Sequence, residues 1–352
     1  MKVIRKNTGS SSQNNDVNYE ALREKMKLME RHVFETANLE EGETLKGYIT
    51  GIVDLGLQPQ PDARAPKKDG EDEEDWINKY EGTYYENMKN EKGAMTRYRR
   101  WPQKPQHSIA IAVDFPDIIV DKGQFFGESS PKPLRVWMGG DAWDNDIKRM
   151  VLARPISLQE RKCLDNGKVW SLPPAGMLYK MALNAKIISS GEAFKAEQVD
   201  ELLGKTFQFK LRIFYSEHKG NEYYNERINF VSGLGRGMEP FTDTETFLIS
   251  SFGKEEGINQ ENAIKELRAS VINTLTRMDG WEDSPLKAEV KEFKRDYSNS
   301  SGSSDSQESS STKDSSKPKP KKVTRKKDPE PVSEIVEDDV PEEDWTDDNI
   351  PF

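Results

Sequence analysis

The chain has 352 residues, 32% of them charged and 34% hydrophobic, with a single cysteine and a net charge of −10. No run approaches the ~18 apolar residues of a membrane span, the first residues lack a leader-like apolar stretch, and one cysteine excludes an internal disulfide, so a cytoplasmic protein without membrane contact is expected. Ten of the 62 acidic residues (Glu330, Glu334, Glu337, Asp338, Asp339, Glu342, Glu343, Asp344, Asp347 and Asp348) crowd into residues 330–352, which hold no Lys or Arg; the remaining acids balance the 52 basic residues.

Residues 1–17 are rich in Ser, Asn and Gln and are expected to be disordered. An N-terminal helix is predicted within 18–39, because Tyr19, Leu22, Met26, Met29 and Val33 recur at helical spacing. It packs on the body or, in the alternative reading, pairs two copies in a homo-oligomer. From Leu45 to Gly56 the pattern is β-like with three glycines, as in a strand that bulges or curls around a small barrel. Residues 58–75 read as a loop with an acid cluster from Asp69 to Asp75. Further strands are predicted at Ser108–Asp114, Ile118–Val120, Leu134–Met138, Thr206–Tyr215 and Tyr223–Val231, the last two joined through Lys219, Gly220 and Asn221 as a hairpin. Helices are predicted at 142–152, 175–186, 197–203, 260–278 and 286–297. The expected fold class is α+β: one domain over 40–297, a small barrel with helical insertions, or in the alternative reading two subdomains. A Ser/Lys-rich flexible linker is expected over 298–329, and a disordered acidic protein-interaction tail over 330–352. A linker of about 30 residues spans roughly 30 Å, enough for the tail to reach a partner while the body stays bound elsewhere.

The acids lead into an apolar tip, Ile350, Pro351 and Phe352. A phenylalanine ring beside a carboxylate can fill a pocket rimmed by Arg or Lys, Pro351 lowers the ordering cost, and the preceding acids speed encounter with basic partners. Asp347, Asp348, Ile350, Pro351 and Phe352 resemble the tip of bacterial single-stranded DNA-binding proteins, in which three aspartates precede Ile-Pro-Phe; Asn349 stands where the third aspartate would be. The body is longer than the bacterial domain. Its segments Gly47 to Gly56, Ala112 to Ile118 and Leu203 to Phe207 resemble the longer single-stranded DNA-binding proteins of tailed phages. The resemblance implies an OB-type β-barrel core, sequence-nonspecific single-stranded DNA binding in phage replication, recombination and repair, and capture of a polymerase, helicase or primase by the tip.

Binding unpaired strands needs cations for phosphates and flat rings for bases. One candidate surface is Tyr84, Lys92, Arg97, Tyr98, Arg99, Arg100, Trp101 and Lys104, a stretch dense in arginine and aromatics. Its alternative reading is a basic segment that salt-bridges the acids of 69–75. The second surface is the hairpin. Alternation puts Phe207, Phe209, Leu211 and Ile213 on one face and Lys210, Arg212 and Phe214 on the other, with Tyr223, Asn225 and Arg227 alternating on the return strand. Its alternative reading is that a helix covers Phe214 and Tyr223.

No catalytic residue, metal or cofactor is expected. His32, His107 and His218 are far apart, and one cysteine cannot build the usual zinc spacings. No phosphate-cradling Gly-x-x-x-x-Gly-Lys-[Ser/Thr] occurs, and Gly233, Gly235 and Gly237 lack the dinucleotide-fingerprint spacing. Asp114, Asp117 and Asp121 are the only carboxylate set that suggests a Mg²⁺ nuclease. A strand-annealing or recombination-mediator protein is the nearer rival, and would share the same surfaces.

Overall fold

The computed structural model describes residues 19–290 apart from Glu91, Lys219 and residues 251–256. The expected tails, the linker, the tip Asp347–Phe352 and the second half of the helix predicted at 286–297 lie outside them.

The described chain is a mixed α/β structure dominated by antiparallel sheet. The elements run α1 (Tyr19–Ala37), β1 (Glu43–Gln58), β2 (Ala63–Pro66), α2 (Glu73–Lys79), β3 (Tyr84–Lys89), β4 (Met95–Trp101), β5 (Gln106–Asp121), β6 (Pro131–Trp137), β7 (Asp141–Asp144), β8 (Arg149–Leu152), β9 (Ile156–Ser157), β10 (Arg161–Leu164), β11 (Val169–Ser171), α3 (Met177–Asn184), β12 (Thr206–His218), β13 (Asn221–Ser232), β14 (Phe247–Ile249), α4 (Gln260–Lys265) and α5 (Ala269–Leu275). The main sheet has the order β13-β12-β1-β5-β6, with β14 parallel to β1 and β9 antiparallel to β5. No ladder joins the outer strands β6 and β13, though their Cα atoms come within 8 Å of each other.

The glycines of β1 do bend it. Its pairing with β5 shifts register between Ile49 and Gly51 and between Asp54 and Leu57, and Gly56 adopts φ +66° at the second shift. At Gly51 the ring of Phe247 occupies the space a side chain would need, so β14 can dock against β1 only because that position has no Cβ.

Strand alternation divides the hydrophobic residues between two cores. Ile49, Ile109, Ile111, Val113, Leu134, Val136, Phe207, Phe209, Leu211 and Ile213 face one side, where α3 and the end of α1 close the core. There Phe209 packs edge-on to Phe115, Phe207 and Phe230, so Phe209→Ala would cost about 3–5 kcal/mol. Val53, Leu55, Ala110, Ala112 and Trp137 face the other side, where Phe247, Ile264, Val271, Leu275 and Leu286 cover them. The sheet is therefore clad on both faces over β1, β5 and β6, whereas over β12 and β13 the second face carries no helix and only the loop with Met238 and Phe241 reaches the start of β12.

Three sequence expectations change. Residues 142–152 form the hairpin β7–β8, because the side chain of Asp144 accepts from the amides of Asp146 and Ile147 and turns the chain. The stretch 58–75 is not all loop: it holds β2 and the start of α2, whose N-terminus is capped by Asp72. The helix 260–278 breaks into α4 and α5 between Lys265 and Ala269. In α1, Val33 is buried while Met26 is exposed, so the predicted stripe is seated only towards its C-terminal end. No helix of the described residues is long and apolar enough to cross a membrane.

Candidate nucleic-acid interface

The hairpin strands pair along their length, with Lys210 opposite Asn229, Arg212 opposite Arg227, Phe214 opposite Asn225 and Ser216 opposite Tyr223. Opposed residues share a face, so Lys210, Arg212, Phe214, Tyr223 and Arg227 lie together on the bare side of the sheet. No helix covers them: Tyr223 is 49% exposed and Phe214 partly exposed. Helix α1 packs instead on the other side, with Phe34 edge-on to Tyr215. The Arg212 guanidinium stands 4.5 Å from the centroid of the Phe214 ring and that of Arg227 5.3 Å. Arg212 Nε also donates to the carbonyl of Glu40 at 2.7 Å, which holds that guanidinium in place. Among the described residues no carboxylate forms an ion pair with Lys210, Arg212 or Arg227.

The buried side of the same strand behaves differently. Glu226 accepts from the Tyr224 hydroxyl at 2.8 Å and pairs with Arg268 at 2.8 Å. Burial, reinforced by the negative charge of Glu226, pushes the Tyr224 phenol far up. On this side Glu226 is paired with Arg268, whereas Arg212 and Arg227 on the outer face have no ion-pair partner among the described residues.

Lys46, which sequence reasoning missed, extends this face. It lies opposite Gln208 in the β1–β12 ladder, and its Nζ sits 4.1 Å from the Phe241 centroid and donates to the carbonyl of Glu239. The alternation of Thr44, Lys46 and Tyr48 against Leu45, Gly47 and Ile49 was the available signal, but the neighbour of β1 was not readable.

The other candidate set folds as a separate three-stranded sheet, β2-β4-β3. The register splits it. Arg64, Arg100 and Tyr84 align on one face, followed by Pro66, Tyr98 and Glu86; Arg97, Arg99 and Trp101 point to the other, with Tyr85. Acids meet the arginines on both sides. Arg97 pairs with Glu73 at 2.8 Å, Arg99 with Glu71 at 2.9 Å and Arg100 with Glu86 at 2.9 Å. Hydrogen bonds from Arg97 and then Lys67 hold the Glu73 carboxyl down at about 2, and the bond to Glu73 raises Arg97. The Tyr85 hydroxyl donates to Glu71 and lowers that carboxyl, while burial pushes the Tyr85 phenol up to about 12. Arg99 also stacks 3.6 Å from the Trp76 centroid of α2. The alternative of pairing with the 69–75 acids is thus realised for Arg97 and Arg99. Lys92 and Lys104 are exposed, and Arg64, not selected from the sequence, joins Tyr84 and Tyr98 as an exposed cation.

Comparison with protein-family models, curated proteins and solved structures finds no match to this chain.

Of the carboxylates that suggested a nuclease, Asp114 and Asp121 are engaged separately and Asp117 is exposed. Arg135 donates to both oxygens of Asp114 at 2.8 and 2.9 Å. Asp121 accepts from Ser129, Ser130 and Gln124, bonds that lower its carboxyl. Among the described residues no three His, Cys, Asp or Glu side chains gather as a metal site.

Proposed function

We propose that this chain binds single-stranded DNA without regard to sequence, on the outer face of β12 and β13, and that its acidic segment with Asp347, Asp348, Ile350, Pro351 and Phe352 recruits proteins of replication, recombination and repair. The observation that carries the reading is the opposition of Arg212 and Arg227. Like charges directly across a ladder destabilise a sheet. Here two guanidiniums are held against one phenylalanine ring, and among the described residues no carboxylate forms an ion pair with either. A polyanion with flat bases supplies what that arrangement lacks: phosphates for the cations, and rings to stack on Phe214 and Tyr223.

The fold reading is an OB-type core. Strands β1, β5, β6, β12 and β13, in that chain order, with α3 between the third and fourth, support it as a Greek-key barrel opened between its third and fifth strands. OB folds commonly bind oligonucleotides across strands two and three. In this chain those strands, β5 and β6, are covered by α4 and α5, which moves the available surface to β12 and β13. The first inter-strand connection carries the β2-β4-β3 sheet, and Tyr84, Arg64 and Tyr98 there are a second contact of this reading.

A titration of fluorescent oligo-dT and of duplex DNA at two salt concentrations tests the proposal. The expected result is preference for oligo-dT, with a log–log salt slope of about −3 if Lys46, Lys210, Arg212 and Arg227 each neutralise one phosphate. Absence of oligo-dT binding at low salt would overturn it.

A further inference from the structure

Strands β10 and β11 form a two-stranded ribbon outside the main sheet. Its tip turns through Asp165, Asn166 and Gly167, all at positive φ. Lys162 lies opposite Trp170, and its Nζ stands 5.6 Å from the Trp170 ring centroid. Trp170 is 50% exposed. Tryptophan is on average among the well-buried residues, and a ring left half in water on a narrow ribbon does little for the core. The base of the ribbon is fixed without it. Ser171 Oγ accepts from the amide of Phe194 at 3.0 Å, the amide of Leu172 donates to the carbonyl of Phe194 at 2.8 Å, and Leu164 packs against the main core.

Charge on the ribbon is one-sided. Arg161, Lys162 and Lys168 are exposed, and between residues 161 and 170 the sequence holds one acid, Asp165. The preceding Glu160 is occupied by Lys195 at 3.0 Å and by the amide of Ala196. Arg161 reaches only the side-chain oxygen of Gln159 at 3.5 Å, and no carboxylate among the described residues pairs with Lys162 or Lys168. An accessible indole with Lys162 beside its ring, and Arg161 and Lys168 elsewhere on the same ribbon, has the two properties that unpaired nucleotides select: a stacking plane and phosphate partners.

We propose that the β10–β11 ribbon is a further single-strand-binding element, in which Trp170 stacks on an unpaired base and Arg161, Lys162 and Lys168 take the flanking phosphates. This rests on the single-strand-binding reading and extends the path of the strand beyond β12 and β13.

The test uses the full chain and fluorescent oligo-dT long enough to exceed one contact surface, at two salt concentrations. Trp170→Ala is expected to weaken binding roughly five-fold or more, and Trp170→Phe to keep most of the affinity, because a ring remains. Lys162→Glu together with Lys168→Glu is expected to flatten the salt dependence without touching the aromatic. Thermal melting of each variant controls for folding, and the charge variants, altered only at exposed side chains, decide the matter if Trp170→Ala melts early. If Trp170→Ala and the charge variants bind like the unaltered chain while Arg212→Ala with Arg227→Ala binds poorly, the ribbon proposal fails and the main reading stands. If the unaltered chain ignores oligo-dT, both fail.

Discussion

Arg212 and Arg227 face each other across the β12–β13 ladder, and both guanidiniums lie within 5.3 Å of the Phe214 centroid. In the free protein this pair is a liability, and in a complex with a polyanion it becomes an asset. Replacing Arg227 by Gln is therefore expected to act in opposite directions on two measurements. Urea unfolding should show a gain of about 0.2–1 kcal/mol as the like-charge opposition is removed, while oligo-dT affinity falls and the salt slope shrinks by about 0.7. Arg97→Ala, Arg99→Ala and Arg100→Ala together should move the slope less, because Glu73, Glu71 and Glu86 already neutralise those cations. Stability and affinity that fall together on Arg227→Gln would assign Arg227 a structural role instead.

The Arg97–Glu73 pair predicts a pH signature. The folded carboxyl titrates at about 2, below the ordinary 4.5. A depressed acid adds stability above its unfolded value and loses it as pH falls through the folded one. The contribution is therefore expected to be full above about 4.5 and to vanish as pH drops through about 2. A carboxyl-carbon NMR titration of Glu73 should give a midpoint near 2 that returns to the ordinary range in Arg97→Ala with Lys67→Ala. A midpoint already near 4.5 in the unaltered chain would mean the pair does not form in solution.

The outer face of the hairpin was readable from the sequence because period-two alternation sorts Arg212 from Leu211 whatever surrounds the strands. What covers each face was not readable. The pattern of Ile264, Leu267, Val271 and Leu275 announces helix, yet nothing local says that these residues lie on Ala110, Ala112 and Trp137 and cover that side of β5 and β6. Residues 142–152 misled for a different reason. Trp143, Ile147 and Met150 fall at helical spacings of four and three, and only the backbone bonds to Asp144 reveal a turn between two short strands. The salt bridges of Arg97 and Arg99 could be weighed, since the acids of 69–75 are plain in the sequence, but the choice between DNA contact and ion pair needed the fold that brings α2 onto β4.

Asp114 and Arg135 tie β5 to β6 where the sheet passes beneath α4. The Asp114 residue is 3% exposed and accepts two hydrogen bonds from Arg135, which also reaches Glu266 at 2.8 Å. Asp114→Asn should cost about 3 kcal/mol, the lower end for breaking a buried pair because Glu266 still faces the guanidinium. Asp114→Asn with Arg135→Met should recover part of that loss. A urea-unfolding loss below about 1 kcal/mol for the single variant would show that Glu266 alone carries Arg135.

The acidic segment 330–352 has a charge density like that of a phosphate backbone, and on the proposed reading it competes for the same uncommitted cations. Removing residues 330–352 is expected to raise the apparent affinity for oligo-dT, most clearly at low salt where screening is weakest. Removing only Phe352 separates the two roles: the acids remain and DNA affinity should hold, while capture of replication proteins in pull-downs should be lost with the aromatic anchor. A weaker DNA complex after removal of 330–352 would contradict the competition outright. It would place the acids on the body as a support for the binding face, and the free cations of β12 and β13 would need another explanation.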